Sequence, residues 1–473
     1  MSQSLNFIVD ATKRPKHVIF IGLDGMRYDY LKHHPLPHIK SLIENGVSFR
    51  NAVTSNFPAQ TAPGFASLST GAVVREHGIF ASEDYYDKKT GEIRYLFDEK
   101  TGFSDLRATT LGDAVKAVNH DFKVVSVSTK DRPALLFGGS NADTVAYCYR
   151  RLQTTKEQKS QGRTREAVSG AGVHEDYYCW VERPNHQLPA YLQDRRLVRN
   201  VDWKGAGFYH PDIDVRYTPM VDTFVMDAAL DIIRNEQPYL TFVTMENVDH
   251  SGQAYSMDSP EVMASLEVTD TEIGRLTQLL KEMDWYEDTL IVISTDHGMA
   301  AKPKCVSVLD ELEKKGDHEI IENILYVYPG VAGGLWLKDT SSAIMKKTIQ
   351  VLQDMAHIQG AWYKHDPDAP WFIKRAAVDR APDILIVPHA NATTVPAGYT
   401  EPIYFYFHGA PYPDDANIVM VFSGAGVKKL GSIGEHLDLP PDKLLTDEEM
   451  ENLPEQIDVA PTMKRIMGLP TSL

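Results

Sequence analysis

The sequence predicts an α/β fold: a three-layer α/β/α sandwich with a central, mostly parallel sheet and inserted cap segments. Short β-branched apolar runs recur at 18–23, 124–128, 239–245, 290–294, 384–387 and 418–422. Short β-branched runs of this kind read as strands buried on both faces, the usual state of a parallel sheet under helices. Helical patterns separate them, and strand–helix alternation of this kind marks a layered α/β architecture.

The elements follow in chain order. The run V-I-F-I-G-L ends on Asp24, and V-V-S-V-S leads to Lys130 and Arg132. In 219–235, Val221, Phe224, Val225, Ala228 and Ile232 share one helical face. Y-L-T-F-V-T-M-E-N-V precedes Asp249. From Pro260 to Met283, Leu266, Ile273, Leu276 and Leu280 fall on one face, with Ser259–Pro260 as the start signal. T-L-I-V-I-S-T then closes on Asp296 and His297.

Two stretches break the rhythm. Residues 150–215 are polar and rich in aromatics, and 301–380 carry one helical segment around 341–355. Both are expected to be cap segments over a core formed by 1–149, 216–300 and 381–473.

Composition narrows the function classes. With 473 residues the chain can bury a large core, and 43% hydrophobic with 24% charged residues is ordinary for a globular protein. A net charge of −17 argues against a nucleic-acid surface and requires any anion site to be locally positive. The three cysteines, Cys148, Cys179 and Cys305, are widely spaced, so neither a disulfide framework nor a cysteine zinc site is indicated. The N-terminal segment has no apolar h-region and no run is long enough to span a bilayer, so the sequence reads as cytoplasmic and not membrane-bound.

Asp24, Asp249, Asp296, His297 and His408 each follow an apolar run. Residues past the carboxyl ends of parallel strands converge in one crevice, and carboxylates with imidazoles converging there suit a transition metal. Each has a plainer reading: Asp24 as a turn residue before glycine, His297 and His408 as packing side chains. Thr61, before P-G-F-A-S-L, is expected at a helix N-terminus. It is either an N-cap or, beside a cation, a nucleophile. Lys130 and Arg132 flank Asp131, and either grip phosphoryl oxygens or pair with that carboxylate at the surface.

Taken together, D-G-M-R, T-A-P-G-F-A-S-L-S-T-G, H-G-I, D-H-S-G-Q, D-H-G and H-G-A-P resemble the alkaline phosphatase superfamily. The similarity is to the branch of type I phosphodiesterases/nucleotide pyrophosphatases, phosphonoacetate hydrolase and threonine-nucleophile bacterial alkaline phosphatases. It runs from about residue 17 to the I-D-V-A-P-T-M-K-R-I-M-G-L-P close at 457–470. The resemblance implies two Zn2+ ions. Asp24, Thr61, Asp296 and His297 would hold one; Asp249, Gln253 and His408 would hold the other. Thr61 matches the nucleophile. Lys130 and Arg132, in S-T-K-D-R-P, match residues that bind non-bridging phosphate oxygens, which favours phosphomonoesters.

Two positions depart from the pattern. Gln253 stands where the motif has histidine, and a neutral amide oxygen is a poor zinc ligand. Ser82, after H-G-I-F-A, stands where many relatives have asparagine, and is expected to contact substrate. The implied function is a metal-dependent phosphohydrolase acting on a small phosphorylated molecule through a phosphothreonine at Thr61. A phosphodiesterase, nucleotide pyrophosphatase or phosphonate hydrolase is the alternative. Gln253 also leaves open a degenerate site with single-metal chemistry or binding alone.

Overall fold

A computed structural model describes residues 5–82, 84–96, 105–151, 177–183, 186–198 and 218–470. A ten-stranded sheet spans the described residues. Its middle is the parallel set Thr289–Thr295, His17–Leu23, Leu240–Met245, Val124–Ser128 and Thr144–Arg151, in that spatial order. Antiparallel pairing begins on either side, with Met420–Gly424 against Thr289–Thr295 and Tyr177–Glu182 against Thr144–Arg151. Gly46–Phe49 and Gly431–Ile433 close one edge, and Arg196–Val198 the other.

The three-layer reading holds, and its cause is visible in residue parity. Ile19, Ile21 and Leu23 enter one apolar cluster with helices Pro37–Glu44, Met220–Glu236 and Pro260–Glu282. Val18 and Phe20 enter a second cluster with helices Thr61–Thr70, Leu111–Val118, Asp131–Gly138 and Val459–Met467. Successive side chains of a strand point to opposite faces, so a strand covered by helices on both must be apolar throughout. No helix among the described residues is long and apolar enough to cross a membrane.

Two expectations about organisation change. The expected strand at 384–387 forms, as Ile384–Pro388, but lies outside the central sheet. It sits between Gly333–Leu337 and Ile358–Tyr363 in a four-stranded antiparallel sheet completed by Ile324–Tyr328. That sheet has its own apolar cluster, including Leu335, Leu337, Leu352, Ile384 and Ile386. The expected boundary at 380/381 therefore cuts through a sheet. Most of the expected cap at 150–215 lies outside the described residues, but its strands Tyr177–Glu182 and Arg196–Val198 extend the central sheet.

Candidate metal centre

Three neighbouring strands, Thr289–Thr295, His17–Leu23 and Leu240–Met245, deliver the acidic residues. Asp24 directly follows its strand, and its N–H donates to Met245 O at 2.9 Å. Gly25 N–H donates to Asp296 Oδ1 at 3.1 Å. Gly25 has φ +70, and a Cβ there would lie 2.8 Å from Asp249 Cβ, so glycine lets the end of His17–Leu23 close on the segment after Leu240–Met245. Asp249 itself lies on the short helix Asn247–Ala254. The Asp222 carboxylate holds the start of that helix, accepting from Glu246 N–H at 2.8 Å and Asn247 N–H at 3.2 Å.

His408 arrives from far along the chain. Tyr406–Phe407 pairs antiparallel with Ala300–Ala301, just past His297, and the two imidazoles stack 3.3 Å apart, centroid to centroid. In each ring Nδ1 is committed to backbone, His297 to Gly298 O at 2.8 Å and His408 to Ala59 O at 2.9 Å. That points the Nδ1 proton at the backbone carbonyl and turns each Nε2 inward, as in histidines that hold a metal through Nε2.

Asp24, Asp296 and His297 form one group whose ligand atoms lie within 4.8 Å of one another; Asp249, His297 and His408 form another. His297 Nε2 is 3.3 Å from both Asp24 Oδ1 and Asp296 Oδ2. Asp24 Oδ1, Asp296 Oδ2 and His297 Nε2 are buried without a hydrogen-bond partner. Buried polar atoms are rarely left so, and three converging on one point fit a cation. The donor set of two carboxylates and an imidazole suits a transition metal.

The electrostatics agree. Burial alone would raise the Asp24 carboxyl, but the Lys130 ammonium and the His297 imidazole outweigh it and hold Asp24 well below the usual carboxylate range. Burial and the Asp24 charge push Asp249 up to about 6 and Asp296 well above its ordinary value. Against burial, Asp296 and Asp24 raise His297 to about 9. Burial and the neighbouring His297 lower His408. Three crowded carboxylates short of positive charge are what these opposed shifts describe.

Thr61 is the first residue of helix Thr61–Thr70 and is buried. The N-cap position falls to Gln60, so the N-cap reading of Thr61 is not what the fold uses. Gly64, one turn on, packs on Asp296, where a Cβ would stand 2.6 Å from Asp296 O. Ser82 Oγ accepts Ala62 N–H at 3.3 Å, so this hydroxyl does sit at the N-terminus of the Thr61 helix. Lys130 does not pair with Asp131 at the surface. Its Nζ lies 2.5 Å from Asp24 Oδ2 and 3.7 Å from Asp249 Oδ2. Arg132 stays nearer the rim, with Nη1 3.4 Å from Tyr95 OH and 4.0 Å from Asp131 Oδ1. Gln253 Nε2 donates to both Asp249 oxygens, at 2.9 and 3.0 Å.

Three supporting residues escaped the sequence reading. Buried Glu246 accepts Lys130 N–H at 2.6 Å and Ser128 Oγ–H at 2.7 Å, fixing the turn that aims Lys130 inward. Gln456 Nε2 donates to Thr295 O and Asp296 O, tying the C-terminal segment to the metal-side loop. Buried His77 braces the Thr61 helix: its Nδ1 accepts Ile79 N–H at 3.1 Å and its Nε2 meets Ser67 Oγ at 3.2 Å. Glu246, at the end of an apolar run like Asp24, carried a usable signal, and His77 stands in the H-G-I motif; Gln456 carried none.

The alkaline phosphatase PafA of Elizabethkingia meningoseptica is 26% identical over 352 residues, 62% of this chain and 61% of that protein. The human bis(5'-adenosyl)-triphosphatase ENPP4 is 24% identical over 293 residues, 60% of this chain and 48% of that protein. These alignments thus span less than two thirds of each relative's length. The crystal structure of wild-type PafA superposes with a TM-score of 0.71 at 19% identity, covering 98% of this chain and 97% of that one. Murine ectonucleotide pyrophosphatase/phosphodiesterase 5 gives 0.61 at 15% identity, covering 96% of each, and both likenesses speak to the fold. The family model described as type I phosphodiesterase / nucleotide pyrophosphatase matches residues 18–409, and the chain belongs to that family.

Proposed function

We propose that this protein is a metal-dependent hydrolase of phosphate esters, with phosphomonoesters favoured, acting through Thr61. One observation carries the proposal. The Thr61 helix is seated through Gly64 on Asp296, beside three buried ligand atoms that lack partners. Asp24, Asp296 and His297, together with Thr61, would hold a transition-metal ion, Zn2+ by family analogy. Bound there, the ion supplies Lewis acidity that lowers the Thr61 hydroxyl pKa and offsets charge on phosphoryl oxygen.

Thr61 Oγ1 gives up its proton to solvent, which returns one to the leaving oxygen, and attacks phosphorus in line with that oxygen. The new Oγ1–P bond replaces the P–O ester bond, and the departing alcohol leaves as alkoxide and takes a proton. Water then attacks phosphorus, the Oγ1–P bond breaks, and phosphate and free Thr61 result. The N-terminus of the ten-residue Thr61 helix faces developing negative charge. Lys130, released from Asp24 by an incoming dianion, and Arg132 at the rim would stabilise the equatorial oxygens. Ser82 retains its O–H to donate to substrate.

The diesterase alternative rests on one specific observation. Lys130 is engaged with Asp24 and Asp249, and a lysine held there is less free to favour a dianion. Comparing p-nitrophenyl phosphate with bis(p-nitrophenyl) phosphate separates the two readings. The favoured one expects a higher kcat/KM for the monoester. Turnover of neither substrate in metal-loaded protein would contradict both.

A further inference from the structure

We infer that the centre keeps one resident transition-metal ion, at Asp24, Asp296 and His297. At the neighbouring position, the amide hydrogens of Gln253 and the Lys130 ammonium engage the Asp249 carboxylate that a second ion would otherwise hold. This rests on the metal-site reading above and goes beyond it in assigning stoichiometry and place.

The two candidate ligand groups share His297. Its Nδ1 is committed to Gly298 O, so only Nε2 offers a lone pair, and one lone pair serves one ion. The unpartnered atoms decide which group receives it. Asp24 Oδ1, Asp296 Oδ2 and His297 Nε2 are all buried and unsatisfied, and all belong to the first group.

At the second position the Asp249 carboxylate is already satisfied. Both oxygens of Asp249 accept from Gln253 Nε2 at 2.9 and 3.0 Å. Lys130 Nζ stands 3.7 Å from Asp249 Oδ2, and His408 Nε2 lies 3.4 Å from the same amide nitrogen. The opposite amide orientation would set Oε1 against two carboxylate oxygens, so the amide hydrogens face Asp249. Without His297 this position offers one carboxylate, one imidazole and a neutral amide, a weak set for zinc.

The test is metal stoichiometry, which does not depend on turnover. The full chain is equilibrated with Zn2+, freed of unbound metal and analysed by inductively coupled plasma mass spectrometry. Circular dichroism checks the folding of each variant. The inference expects one Zn2+ per wild-type chain, none in Asp296→Asn, and one still in His408→Gln. Gln253→His should hold two, its second ion gaining more than the roughly 10- to 100-fold that even an outer-shell partner contributes to affinity. Two tightly held Zn2+ in the wild type, or a tight second site for Mg2+ or Ca2+, would overturn the inference while sparing the metal-site reading. Loss of the ion in His408→Gln with retention in Asp296→Asn would place it at the other position and overturn the metal-site reading as well. A wild-type chain that holds no Zn2+ would overturn both.

Discussion

The Lys130 ammonium stands 2.5 Å from the buried Asp24 carboxylate, joining the ends of two strands that Leu240–Met245 separates. The surrounding groups make this pair an electrostatic hinge. Against burial, the charges of Asp24, Glu246 and Asp249 raise Lys130 above its ordinary value, so it stays charged throughout the working pH range. Release from Asp24 would turn this charge toward an arriving phosphoryl dianion.

Lys130→Ala is therefore expected to lower kcat/KM for a phosphomonoester by about 10²- to 10³-fold, the scale of losing one preorganised charge-stabilising donor. A diester with the same leaving group carries one less negative charge and should lose less. Equal losses on the two esters would remove Lys130 from dianion recognition.

Gly64→Ala tests the seating of the Thr61 helix. The new methyl would stand 2.6 Å from Asp296 O and 2.7 Å from Asp296 Cβ, and neither atom is at a flexible side-chain end. The helix must shift, at a cost of about 1–3 kcal/mol. Urea denaturation in chelator should show that loss, and zinc affinity should fall with it because Asp296 is displaced. Unchanged stability and metal affinity would mean that the contact is not tight in solution.

His77 gives a pH prediction away from the metal ligands. Burial lowers its pKa to about 3, so the folded protein holds it neutral while the unfolded chain protonates near the ordinary value of about 6.5. Between those values the unfolded state binds more protons, so stability falls as pH falls, with a slope of up to about 1.4 kcal/mol per pH unit from this residue. Above about pH 6.5 the contribution is flat. His77→Gln should be less stable at pH 8 but show a shallower loss on acidification, measured by chemical denaturation at several pH values. An unchanged slope would contradict a neutral buried His77.

How much the sequence revealed depended on whether the signal was local. Asp24, Asp296 and His297 were legible because each closes an apolar run, and parallel strands collect such ends in one place. Ile384–Pro388 was legible as a strand but not as a member of its sheet. A fully buried I-L-I-V run looks the same against either sheet, and partners from 333–337 and 358–363 make the choice. Gln456 could not be found locally, since its task is to reach the carbonyls of Thr295 and Asp296, about 160 residues away in sequence. Lys130 was flagged, but its burial against Asp24 overrode the surface pairing with Asp131 that a K-D-R loop suggests.

The central claim is that Thr61 is the nucleophile of a phosphoryl transfer. Acid quenching during steady-state hydrolysis of p-nitrophenyl phosphate, followed by peptide mass spectrometry, tests it most directly. A phosphoryl group on Thr61, absent with Thr61→Ala, which should also abolish turnover, is the predicted result. Undiminished turnover by Thr61→Ala, or a phosphoryl group trapped on another residue, would contradict the account.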